Sequence, residues 1–441
     1  MDTPIYDFLR KYAVSDTLRL HMPGHKGRKN GEPLSEIFPY DITEIFGADS
    51  LFDAEGIIAE SEKNAAKLFN TAKTIYSTGG STLCIQTMLA LAAPEKSTVI
   101  AARNAHKAFL NACVLLDLDV SWIFPDSDNN VTFLSYKFSA KAVEDAILAA
   151  KNPSCVYVTS PDYYGGVVDI SAISAVCKRH NLPLLVDNAH GAYLAFLPKN
   201  QHPIALGADL CCDSAHKTLP VLTGGAYLHI NNEKFASNAK TTMGLFGSTS
   251  PSYLTLGSLD LCNNFLENCS ECLAGAVLNI SNLKKSLGKF YTICESDSLR
   301  ITILSIDSGL TGNQLAEILR KNCIECEYSD ENCVVLLFSP INTAADCERV
   351  LQVLSTVKMP KIAISAQKLA LPHPQKAMTI RKAALSENEE IPISQATGRI
   401  CGKTKILCPP GVPIVASGEI IDEDCIKILK KYSIFTINVV K

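Results

Sequence analysis

The residues best suited to chemistry lie in the octapeptide Asp213-Ser214-Ala215-His216-Lys217-Thr218-Leu219-Pro220, which follows an apolar run. A lysine flanked by His, Ser and Thr at a strand end can form a Schiff base with a carbonyl cofactor, its neighbours serving as phosphate donors and proton-transfer groups. The same octapeptide could equally be a turn carrying a solvated lysine. Asp187-Asn188-Ala189-His190-Gly191 closes a second apolar run, Leu184-Leu185-Val186. A carboxylate buried there is costly without a cationic partner, and the protonated pyridine nitrogen of pyridoxal phosphate (PLP) would be one. A turn aspartate bonded to nearby backbone is the alternative.

Gly79-Gly80-Ser81-Thr82 offers backbone amides and two hydroxyls at a helix start, which suits a phosphate. Ser and Thr are also the commonest helix caps, and the Gly-Lys-Ser/Thr ending of a Walker A loop is absent. His106 could stack on an aromatic cofactor or be structural. Two Cys-x-x-Cys pairs, Cys269/Cys272 and Cys323/Cys326, have no His at finger-like spacing, and no metal site is expected from them.

Positioning these residues requires alternating strands and helices. Short apolar strands are expected at Thr74–Ser77, Thr98–Ala101, Val120–Phe124, Cys155–Ser160, Leu184–Asp187, Asp209–Asp213 and Gly225–Ile230. Helices are expected after Gly80, over Ala140–Ala150 and over Ile170–Arg179, with one long helix from about Leu261. This alternation implies an α/β fold with a mostly parallel sheet, which binds ligands beyond the carboxyl ends of its strands. The first fifty residues read as an irregular arm. A second αβ region runs from Leu299 to about Met359, and a last segment from Pro372 contains the turn Pro409-Pro410-Gly411-Val412-Pro413.

The 441 residues suffice for two or three domains, and the 47% hydrophobic fraction supports a sizeable core. With 41 basic and 45 acidic side chains the net charge is −4, which argues against nucleic-acid binding through bulk charge. The 17 cysteines are odd in number and scattered, and the N-terminus lacks an export signal, so reduced thiols in a cytoplasmic protein are expected. No apolar run approaches the roughly 18 residues of a membrane span.

Taken together, the motifs resemble the Orn/Lys/Arg decarboxylase family, and the resemblance runs nearly end to end. It is carried by Thr3-Pro4-Ile5-Tyr6, His21-Met22-Pro23-Gly24-His25-Lys26-Gly27, Asp41-Ile42-Thr43-Glu44 and Glu55-Gly56-Ile57-Ile58-Ala59-Glu60. Arg103-Asn104-Ala105-His106-Lys107, Ser160-Pro161-Asp162-Tyr163-Tyr164-Gly165 and Thr249-Ser250-Pro251-Ser252-Tyr253 follow, together with the Asp187 and Lys217 motifs. Ala396-Thr397-Gly398-Arg399 and Pro409-Pro410-Gly411-Val412-Pro413-Ile414, leading to Gly418-Glu419, complete it.

The resemblance implies PLP fold type I, with a mostly parallel central sheet in a large domain, a smaller αβ domain and a C-terminal domain. The expected boundaries are an arm at 1–50, the large domain at 51–290, the small domain at 291–365 and the C-terminal domain at 366–441. It implies that Lys217 holds PLP, that Asp187 pairs with the pyridine nitrogen, and that His106 and Ala189 cover the two ring faces. Ser81, Thr82 and Ser214 would bind the phosphate, with His190 and His216 as further cofactor contacts and His216 or Lys217 as proton donor. Thr249 and Ser250 would complete a partner subunit's phosphate pocket in a homodimer or larger assembly, and Glu419 would take the cationic tail of the substrate.

The implied reaction is decarboxylation of a basic amino acid, arginine favoured over lysine or ornithine, in polyamine metabolism. Another fold type I reaction such as transamination, or a regulatory paralogue without turnover, is the alternative. The chain departs from the family pattern in Gly79-Gly80-Ser81-Thr82-Leu83-Cys84, in Ala108 after His106-Lys107, in Asp162 where Thr is usual, and in Gly224-Gly225. Asn188 and Tyr193 stand where Glu and His are usual.

Overall fold

The computed structural model describes residues 1–124, 137–357, 372–407 and 412–441. The turn expected at Pro409-Pro410-Gly411 lies outside the described residues. In chain order the elements begin with α1 (Pro4–Ala13), α2 (Ile57–Phe69), β1 (Lys73–Ser77), α3 (Gly80–Ala92), β2 (Thr98–Ala102), α4 (Lys107–Leu116) and β3 (Asp119–Ile123). They continue with α5 (Ala140–Ala149), β4 (Pro153–Thr159), α6 (Ile170–Arg179), β5 (Leu184–Asp187), β6 (Leu210–Asp213), α7 (Ala215–Thr218), β7 (Ala226–Ile230) and α8 (Ala239–Gly244). The helices α9 (Tyr253–Asn268) and α10 (Ser270–Leu287) follow.

The chain divides into two compact units, residues 1–92 with 185–274 and residues 93–184 with 275–441. In the first, β1, β7, β6 and β5 neighbour one another in that order. The β5/β6 pair is parallel with Asp187 opposite Cys212, whereas β7 runs antiparallel to both β6 and β1. All four residues of β5 and of β6 are buried, which is why each reads as a short continuous apolar run capped by one aspartate. Both aspartates therefore stand at carboxyl ends of parallel strands. In the second unit β4, β2 and β3 are parallel, with Ile100 opposite Val156 and Ser121. The large sheet is thus mostly parallel in a mixed α/β fold.

The second unit also carries a four-stranded antiparallel sheet from β8 (Thr292–Ile293), β9 (Arg300–Leu304), β10 (Tyr328–Ser329) and β11 (Cys333–Leu337), ordered β10-β11-β9-β8. Its strands are interleaved with α11 (Gly312–Lys321), and α12 (Ala344–Ser355) follows.

Two features differ from the sequence reading. The first is α1, inside a stretch read as irregular: Pro4 occupies its first turn, Asp7 lies near its positive end, and Arg10 and Lys11 lie near its negative end. The second is the expected long helix, which is two helices separated at Cys269. Among the described residues no helix is long and apolar enough to cross a membrane.

Candidate active site

In the first unit the loops after β5 and β6 meet. Lys217 Nζ donates to His190 Nε2 at 3.0 Å, so the imidazole receives the bond through its lone pair. Asp187 is buried at the end of β5, and its Oδ1 accepts the Ala189 N–H at 3.1 Å and the Cys212 thiol at 3.7 Å. His216 Nδ1 donates to the Gly225 carbonyl at 3.1 Å, which ties the ring to backbone.

The phosphate expectation falls on the start of α3. Ser214 Oγ donates to Ser81 Oγ at 2.8 Å, which joins the loop after β6 to the helix N-terminus. Thr82 is the next residue of that first turn, and the turn carries no acidic side chain. Gly80 has φ +67°, a left-handed conformation that side chains resist, and its N–H donates to the Gly224 carbonyl at 2.8 Å. Gly224 has φ +94°, and a Cβ there would lie 3.0 Å from the Thr78 carbonyl oxygen. The unusual Gly224 thus belongs to a close backbone contact that shapes this turn. Thr249 and Ser250 lie exposed in the loop after α8.

His106 and Glu419 belong to the second unit. His106 caps α4, its Nδ1 accepting the Ala108 N–H at 3.2 Å. Glu419 has partners other than those expected of a substrate-tail contact. It is buried and forms a two-pronged ion pair with Arg103, Oε2 lying 2.8 Å from Nη2, while Oε2 also accepts the Ala416 N–H at 2.7 Å. Its Oε1 accepts the Trp122 indole N–H at 3.1 Å, and the Arg103 guanidinium lies 4.8 Å from the Trp122 ring centroid. These bonds occupy both carboxylate oxygens with protein donors. Asp162, another departure, closes a turn by accepting the N–H groups of Tyr164 and Gly166 at 2.9 and 2.8 Å.

Sequence reasoning did not anticipate the buried cluster around Asp213, or the direct Lys217–His190 contact. The available signal was an aspartate beginning the lysine octapeptide, with His202 and His229 on flanking segments. Burial opposes the charge on Asp213, but its pairing with His202 and His229 outweighs that and holds the Asp213 carboxyl below its ordinary range. Burial lowers the His229 pKa against the opposing pull of Asp213, and its Nε2–H donates to Asp213 Oδ2 at 3.2 Å. The thiols of Cys84 and Cys155 are pushed up to about 12 by burial, as expected of small core residues rather than nucleophiles.

The donor set fits PLP. Hydroxyls and open amides at a helix start suit the phosphate, a lysine suits the carbonyl, and a buried strand-end carboxylate suits a protonated ring nitrogen. The lysine decarboxylase LdcF of Francisella novicida superposes with a TM-score of 0.84 at 18% identity, covering 100% of this chain and 81% of that chain. An SPT structure solved with PLP superposes with a TM-score of 0.56 at 14% identity, over 67% of this chain and 74% of that one. The fold is that of the PLP fold type I enzymes, and the donor set fits their cofactor.

Residues 3–306 match the Orn/Lys/Arg decarboxylase major domain, and residues 361–436 match the C-terminal domain of the same enzymes. The chain belongs to the Orn/Lys/Arg decarboxylase family. The arginine decarboxylase of Bacillus subtilis (strain 168) is 28% identical over 460 residues, spanning 98% of this chain and 93% of the relative.

Proposed function

We propose that the chain converts a basic amino acid, arginine before lysine or ornithine, to its amine and CO₂ in polyamine metabolism. The observation that carries this reading is the meeting of two loops in one unit. Lys217 lies against His190, Ser214 bonds to Ser81 at the start of α3, and Asp187 closes the neighbouring strand. When bound, PLP accepts the electron pair left on the substrate α-carbon as CO₂ departs.

The residues divide the remaining work. Ser81, Thr82 and Ser214 anchor the phosphate through hydroxyls and the open amides of α3. Asp187 keeps the ring nitrogen protonated, because a buried carboxylate favours a cation beside it. Lys217 would hold the cofactor through its amine, and His190 Nε2 would keep that amine oriented for proton transfer. His106 is assigned to a ring face, opposite Ala189, on the family resemblance. Thr249 and Ser250 are assigned to the phosphate pocket of a second subunit, which their exposure in the loop after α8 supports. The arginine preference rests on the arginine decarboxylase of B. subtilis, matched over 93% of its length.

Borohydride reduction of the PLP-loaded protein followed by peptide mapping tests the assignment. A pyridoxyl group on Lys217 is expected; the same group on another lysine would overturn it.

A further inference from the structure

Behind the Lys217–His190 contact lies a buried carboxylate clamp. The Asn188 N–H donates to the Cys212 carbonyl at 3.0 Å, extending the β5/β6 ladder one residue beyond β5. The Asn188 side-chain amide then donates to Asp213 Oδ1 at 2.7 Å, with the Cys211 thiol 3.7 Å from the same oxygen. Asp213 Oδ2 accepts His202 Nε2–H at 3.0 Å and His229 Nε2–H at 3.2 Å. The remaining ring nitrogens are engaged too, His202 Nδ1 by the Ile204 N–H at 3.3 Å and His229 Nδ1 by the Thr74 hydroxyl at 2.9 Å. Asn188, Asp213, His202 and His229 are all buried. The atoms of His202, Cys211 and Asp213 have the types of a metal site. However, the bond from Ile204 to Nδ1 places the His202 proton on Nε2, the atom facing Asp213, and a hydrogen bond already fills that direction.

Asn188 adjoins Asp187 and lies two residues before His190, and Asp213 adjoins Ser214 and lies four before Lys217. The clamp therefore sits at the roots of the two loops whose tips bring His190 and Lys217 together. We propose that Asn188 and Asp213 form a positioning pair that sets the Lys217 amine against His190, and so governs how readily Lys217 takes up PLP. This inference rests on the reading of Lys217 given above. The pair has a polarity: one partner must donate and the other must accept. A carboxylate at position 188 would face the Asp213 carboxylate at hydrogen-bonding distance, and like charges there repel.

A charge-swap cycle tests the proposal. Asn188→Asp puts two carboxylates together, and adding Asp213→Asn restores one amide and one carboxylate in reverse order. In the swapped protein the new amide oxygen still accepts from His202 and His229 while its nitrogen donates to position 188. PLP affinity, the rate at which the visible cofactor band forms, and the melting temperature of the cofactor-free protein are measured for each. The single variant N188D is expected to weaken PLP binding and slow band formation by about tenfold, a coupling ordinary for contacting polar residues. The double variant is expected to recover both to within about twofold of the parent.

A double variant no better than N188D would overturn the proposal. So would N188D melting lower yet forming the band at the parent rate, since the pair would then be structural only. If N188D does not fold, Asn188→Ala removes the donor without adding charge and must still slow band formation. Lys217→Ala separates the two readings. A visible band surviving in that variant sinks the assignment of Lys217, whereas absent rescue in proteins that retain Lys217 sinks the clamp alone.

Discussion

Replacing Glu419 separates an internal ion pair from a substrate contact. The Glu419 carboxylate accepts from Arg103, from the Trp122 indole and from the Ala416 N–H, and Arg103 is fully buried. Glu419→Ala strips a buried guanidinium of this counter-charge, a loss of about 3–5 kcal/mol. Glu419→Gln keeps the shape and some of the hydrogen bonds but loses the charge, and should cost about 1.5–3 kcal/mol, the scale of a charged hydrogen bond. Replacing both partners with apolar residues, Arg103→Met with Glu419→Leu, should recover most of the loss, because neither charge then has to be buried. Trp122 is the only tryptophan and bonds to Glu419, so its fluorescence during urea unfolding reports on the region that holds the pair. A lower urea midpoint with an unchanged KM for the amino-acid substrate is expected. An unchanged midpoint with a raised KM for a cationic substrate would refute the reasoning and return Glu419 to the substrate.

Two further outcomes follow from the first unit. Asp260 accepts the N–H groups of Ile5 and Tyr6 at the start of α1, and burial raises its carboxyl from 3.8 to about 6. The folded protein therefore binds this proton more tightly than the unfolded chain. The stability it contributes is full below about pH 4 and declines by about 3 kcal/mol as pH rises through about 6. Thermal unfolding between pH 4 and 8 should show most of that decline in the parent, concentrated between pH 4 and 6, and a flatter profile in Asp260→Asn; identical profiles would count against it. Removing the hydroxyl pair with Ser81→Ala and Ser214→Ala should weaken PLP about 10- to 100-fold, the worth of a hydrogen bond to a charged group. Binding of pyridoxal, which lacks the phosphate, should not change; an equal loss for both ligands would show that the hydroxyls do not serve the phosphate.

The large sheet was legible because its strands are short buried runs whose ends are marked by polar residues, as in Leu184–Asp187 and Leu210–Asp213. The reversed direction of β7 was not, since a buried strand carries the same apolar run whichever way it points. The break between α9 and α10 falls at Cys269 with neither Gly nor Pro beside it, so nothing local announced it. In the site, Lys217, Asp187 and Ser81 stood out because each is a reactive or polar type next to an apolar run or glycine pair. The Arg103–Glu419 pair joins positions 316 apart, and Asp213 gathers His202 and His229 across three segments. Such contacts are made by tertiary topology, and no spacing in the chain encodes them. Asn188 looked like a simple departure from the family pattern until its amide was seen to meet a carboxylate.

Lys217 with bound PLP is expected to remove CO₂ from a basic amino acid. The most direct test incubates PLP-loaded protein, and Lys217→Ala beside it, separately with arginine, lysine and ornithine while assaying agmatine, cadaverine, putrescine and CO₂. One dominant amine with matching CO₂, agmatine from arginine, is the expected result, with none from the variant. A normal cofactor spectrum with no amine from any of the three, or undiminished amine from the variant, would contradict the account.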